Sequence, residues 1–137
     1  MGREVSWNPI RLFPVEFALI LDPIVWSIEM KRMRCPENKY PDSAAGTTFF
    51  LPNECGTRRA IVTMNLTKPL EGIQVAAMLA HEGQHIVQYI EDEIGEQKFS
   101  WEAECYLLQM IVQDLMQDYV ELGGHVHDIE RKTRRRK

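Results

Sequence analysis

At 137 residues the chain is long enough to bury the core of one domain. Its 45% apolar and 26% charged residues exclude a collagen-like chain or one disordered throughout. The net charge of −4 is unevenly spread, because six of the last seven residues are basic and the body is correspondingly more acidic. A single domain over residues 1–130 and a disordered, solvated tail over 131–137 are expected.

Cys35, Cys55 and Cys105 are odd in number and show no C-x-x-C spacing, so free thiols and a reducing, cytoplasmic setting are expected. Met1 to Asn8 does not read as a secretory leader. The most apolar early run, Phe13 to Trp26, is broken by Pro14, Glu16, Asp22 and Pro23, which argues against a membrane span.

Residues 1–13 read as an irregular arm. Val15 to Leu21 is a short apolar run that suits helix or strand equally. Asp22-Pro23 has the form of an N-cap followed by the first helical position, predicting a helix to about Arg34. Residues 36–46 are rich in Pro, Asn, Asp, Ser and Gly and read as a loop. Thr47 to Leu51 and Arg59 to Leu66 are rich in β-branched and aromatic residues and predict an antiparallel hairpin. A long helix follows from about Leu70 or Ile73 to Ile94, with Gly95 placed to end it. Ser100 is an N-cap candidate for a second long helix, which Gly123-Gly124 ends. Its stripe of Cys105, Leu108, Ile111, Val112, Leu115, Tyr119 and Leu122 has the spacing of a core face. The order of elements predicts an α+β fold: a small antiparallel sheet packed on the two long helices.

The first long helix carries His81-Glu82-Gly83-Gln84-His85, an H-E-x-x-H motif inside an apolar run. Residues i and i+4 share a helix face, so His81 and His85 can direct imidazole nitrogens at one zinc ion. Glu82 is one step round from His81, placed to take a proton from water as general base without ligating. A third protein ligand is needed. Glu91 on the same helix is about 240° beyond His85 and faces away. The first turns of the next helix offer Glu102 and Glu104, and a short connection makes the two helices antiparallel neighbours.

The segments from His81 to Gln88 and from Glu102 to Gln109 together resemble the small gluzincin-type zinc metallopeptidases of bacteria and phages. In those, H-E-x-x-H-x-x-Q is followed on the next helix by E-x-E-A-Y and a Gln. Cys105 stands here where that family has Ala. The resemblance covers about residues 60–115. It implies a minimal zincin-like domain hydrolysing a protein or peptide substrate, with Zn2+ on His81, His85 and Glu102 and with Glu102 preferred over its rival Glu104. It also implies that the strand before the metal helix forms the sheet edge over the cleft, so that Arg59, Ile61, Thr63 and Asn65 border an extended substrate. Tyr106 and Tyr89 are the candidate oxyanion donors. A second reading keeps the zinc fold as a non-catalytic scaffold, for example in a phage particle. In that reading the edge strand, or the tail over 131–137, binds a partner or nucleic acid. The intact Glu82 favours the peptidase. His125 and His127 read as solvated.

Overall fold

The computed structural model describes residues 4–10, 13, 15–42, 44–51, 58–65, 67, 71–94 and 100–124. The chain divides into two compact units, Met1–Thr67 and Lys68–Lys137. The class is α+β, with three helices and a four-stranded sheet among the described residues.

In the first unit, β1 (Asn8–Pro9), β2 (Val15–Ile20), β3 (Gly46–Leu51) and β4 (Arg58–Met64) form one sheet in the order β1-β2-β4-β3. The predicted β3–β4 hairpin is present, from Gly46 opposite Met64 to Leu51 opposite Arg59. The apolar run after residue 14 is a strand, and it pairs parallel with β4, from Val15 opposite Arg58 to Ile20 opposite Thr63. Six residues stopped by Asp22-Pro23 are too few for a stable helix, and Phe17 and Ala18 are fully buried. The arm before it is not wholly irregular, since Asn8 and Pro9 pair with Phe17 and Glu16.

Two expectations are corrected. The sheet is mixed rather than antiparallel. And β4 is not an edge, because β2 and β3 take both of its sides. Its run Ala60-Ile61-Val62 is fully buried, as a central strand with a parallel neighbour should be. Arg59, Ile61 and Thr63 lie opposite Glu16, Ala18 and Ile20 on one side and Leu51, Phe49 and Thr47 on the other. Arg59 pairs with Glu16 and lies 4.8 Å over the Trp7 ring. Asn65 follows the strand and pins a turn: its Nδ2 donates to the Asp42 carbonyl at 2.9 Å and its Oδ1 accepts from the Thr67 N–H at 3.0 Å.

Helix α1 (Pro23–Arg32) starts as its sequence predicts, with Asp22 Oδ1 accepting from the Ile24 N–H at 2.8 Å and Pro23 in the first turn. It packs Trp26 and Met30 with Ile20, Leu51 and Ile61. Trp26 meets the Tyr40 and Phe49 rings edge-on at 5.8 and 5.3 Å, and its Nε1 donates to the Asn38 carbonyl at 2.9 Å. Tyr40 closes this core from the loop by donating its hydroxyl to the Met64 carbonyl at 2.6 Å.

The second unit holds α2 (Gly72–Ile94) and α3 (Trp101–Glu121). At the start of α2, Gln74 Oε1 accepts from the Glu71 N–H at 2.9 Å, the reciprocal arm of a capping box. Ser100 caps α3, its Oγ accepting from the Ala103 N–H at 3.2 Å. Gly123, at φ +97°, takes the left-handed conformation that ends the helix. Val75, Leu79, Ile86, Val87 and Ile90 of α2 are buried, as are Ile111 and Leu115 of α3. The helices meet closely at Gly83, where a Cβ would stand 3.3 Å from Val112 Cγ2, 3.4 Å from Ile111 Cγ2 and 3.5 Å from Leu108 Cδ1. The expected terminator Gly95 and the basic tail lie outside the described residues.

Two outcomes follow from this packing. Tyr40→Phe leaves the Met64 carbonyl without its donor and should cost about 1–3 kcal/mol in chemical denaturation at neutral pH. Burial, and then the negative charge of Asp22, push the Tyr40 phenol above its ordinary 10.0. The folded state therefore holds this proton more tightly than the unfolded chain does. The stability advantage of the parent over Tyr40→Phe should be constant below pH 10 and shrink as pH rises beyond it. Gly83→Val overfills the α2–α3 contact and should lower stability by about 1–3 kcal/mol, read as a fall in the melting temperature.

Candidate metal centre

His81 and His85 lie on the exposed side of α2, opposite the face that carries Leu79, Ile86 and Ile90. Their rings meet edge-on with centroids 4.9 Å apart, and their Nε2 atoms are 3.2 Å apart. Two nitrogens bound about 2.0–2.1 Å from one tetrahedral ion are separated by about 3.3 Å. The pair thus already has nearly the spacing that a shared ion demands.

Gln88 follows His85 by three residues, and its Oε1 lies 3.2 Å from His85 Nδ1. A carbonyl oxygen only accepts, so this contact suits the His85 tautomer with its proton on Nδ1 and its lone pair on Nε2. That is the tautomer a metal ligand requires, held by a hydrogen bond on the far side of the ring. The two Nε2 atoms also lie within hydrogen-bonding distance of each other.

Glu82 is 5% exposed and sits about 100° round the helix from His81. A carboxylate adjoining the ligand pair and screened from bulk water suits a general base.

The third ligand is where expectation and structure part. Glu102 is exposed in the first turn of α3. Glu104 is half-buried and accepts a hydrogen bond from Gln84 Nε2 at 3.3 Å. Among the described residues, no three His, Cys, Asp or Glu side chains are grouped to hold a metal ion. The structure brings His81 and His85 together, and it brings neither glutamate to them. The reason for Glu102 lies in the rotation of α3. Leu108 and Ile111 face Gly83, and Glu102 precedes them by six and nine residues, which places it about 120° and 180° away from them round the helix. Tyr106 is 63% exposed and Tyr89 half-buried. His125 and His127 lie outside the described residues.

Gln84 and Gln88 are the side chains bonded to Glu104 and to His85 that the H-E-x-x-H motif alone leaves without a role. Their signal in the sequence is spacing, since residues three apart are neighbours on a helix surface. Cys35 and Cys105 are free thiols, as expected, and Cys55 lies outside the described residues. No helix among the described residues is long and apolar enough to cross a membrane. Comparison with protein-family models, with curated proteins and with solved structures found no match for this chain.

The tautomer assignment is directly measurable. Long-range proton–nitrogen correlation spectra of the metal-free protein above the titration range of its histidines should show His85 protonated at Nδ1. In Gln88→Leu that preference should relax toward the Nε2 form usual for free imidazole. An unchanged spectrum would remove Gln88 from the site.

Proposed function

We propose that this protein is a zinc-dependent peptidase in which His81 and His85 hold the metal and Glu82 is the general base. The observation that carries the reading is the 3.2 Å separation of the two Nε2 atoms, together with the Gln88 contact that leaves a lone pair on His85. When bound, zinc acts as a Lewis acid that polarises water and the scissile carbonyl.

The chain's own residues supply the rest. His81 and His85 bind through neutral nitrogens, and Gln88 keeps the His85 ring in orientation. Glu82 accepts the proton of the attacking water on its carboxylate and returns it to the departing amine, so one group serves as base and then acid. Burial of Glu82 keeps this proton from exchanging freely with bulk solvent. The substrate class is a protein or peptide. Because β4 is paired on both sides, substrate is not held by main-chain addition to that strand.

The experiment compares the parent with Glu82→Gln, which keeps the shape and removes the proton acceptor. Both should take up zinc to the same stoichiometry by elemental analysis. Only the parent should generate new N-termini from a denatured protein mixture, with turnover in the variant lower by about 10²–10⁴-fold. A parent that binds no zinc defeats the proposal. Zinc uptake without cleavage by either protein favours the non-catalytic scaffold.

A further inference from the structure

We propose that the C-terminal end of α1, with the loop that follows it, binds the phosphate backbone of nucleic acid. Lys31, Arg32, Arg34 and Lys39 lie close together in the chain there, with Glu37 the one acid among them, and all four cations are exposed. Charge is segregated around this patch. The other Lys and Arg side chains among the described residues are Arg58 and Arg59 of β4, and helices α2 and α3 carry none. Arg32 reaches the buried Glu29 at 3.5 Å. Lys31, Arg34 and Lys39 form no salt bridge among the described residues.

Helix electrostatics accounts for only part of this. Lys31 and Arg32 are in the last turn, where cations complement the negative end of a helix. Arg34 and Lys39 lie past that end, and the effect falls off within the last turn. Arg34 is also the non-glycine residue with positive φ among the described residues, at +62°. The helix ends there in a Schellman motif. The Arg34 N–H donates to the Lys31 carbonyl at 3.1 Å, and the Cys35 N–H donates to the Met30 carbonyl at 2.9 Å. Glycine is the usual residue at that position, because a Cβ is strained in the left-handed region. An arginine held there against local preference is explained by a use for its guanidinium.

The backbone beneath the patch is anchored. The sulfur atoms of Cys35 and Met30 meet at 3.8 Å behind Arg34. On one side of Lys39 the Asn38 carbonyl accepts from Trp26 Nε1, and on the other the Tyr40 hydroxyl donates to the Met64 carbonyl. A frame already fixed lowers the ordering cost of binding. The patch presents charge and no free apolar group, since Met33, Cys35 and Tyr40 pack against the core. It therefore has nothing to insert into a bilayer and no ring to stack on a base. Contact with phosphates is what remains, and it is independent of base sequence.

The test titrates the full chain against a fluorescently labelled DNA duplex of arbitrary sequence, read by anisotropy over a salt series. Each phosphate contact removed should lower the slope of log affinity against log salt by about 0.9, and the affinity at about 0.1 M salt by about eightfold. Two variants are compared with the parent: Lys31→Gln with Lys39→Gln, and Arg34→Gly alone. Arg34→Gly relieves the strained φ, so its melting temperature should hold or rise while its affinity falls. A merely structural role for Arg34 would not give both. Each variant is also made in a chain whose tail cations over 131–137 are replaced by Gln, and it should lose the same factor there. The proposal is overturned if the parent does not bind the duplex, if either patch variant binds as the parent does, or if only the tail replacement weakens binding. It is likewise overturned if poly-glutamate of equal charge competes as well as unlabelled duplex, or if phosphatidylserine vesicles hold the parent more tightly than the duplex does. No metal enters the test, so its outcome is independent of the zinc reading.

Discussion

The missing side chain of Gly83 sets the geometry of the second unit. Because nothing projects from that position, the methyl groups of Leu108, Ile111 and Val112 come within ordinary contact of the α2 backbone. Helices packed this closely cannot rotate freely against each other, since their ridges and grooves interlock. One apolar contact therefore decides which polar residues of α3 meet α2. It lies inside the H-E-x-x-H motif, between Glu82 and the second histidine. The same five residues hold the motif and the packing contact.

The helix segregates its charged and polar groups in a way that suits hydrolysis. The histidines and Gln88 stand on the exposed side, where an ion and its water have access. Glu82 is withdrawn, 5% exposed, so its carboxylate meets less competing solvent. Burying a carboxylate is unfavourable unless other groups compensate it.

Much of the first unit is readable from local chemistry. Asp22-Pro23 predicts the start of α1, and the punctuated apolar runs predict the β3–β4 hairpin. The parallel pairing of β2 with β4 is not readable in that way. Nothing in a six-residue apolar run says which distant strand it joins, and its partner lies more than forty residues away in register. The clue that was present is the unbroken Ala60-Ile61-Val62-Thr63-Met64, which lacks the alternation of a half-solvated edge. At the site, the i, i+4 spacing predicts the histidine pair, and the structure agrees. The choice between Glu102 and Glu104 depends on the rotation of α3, which a motif spanning two helices does not encode.

The placement of β4 also bears on how the chain is made. Synthesis runs from the N-terminus, so β2 leaves the ribosome well before the strand that pairs with it. Until Arg58–Met64 has emerged, Phe17, Ala18, Leu19 and Ile20 have in-sheet pairing only from the two residues of β1. The β3–β4 hairpin closes a short loop and can form as soon as it is free. Docking β2 then closes a loop of about forty residues, an entropically slower step. The first unit is therefore most vulnerable to aggregation midway through its own translation, through the apolar edge of β2.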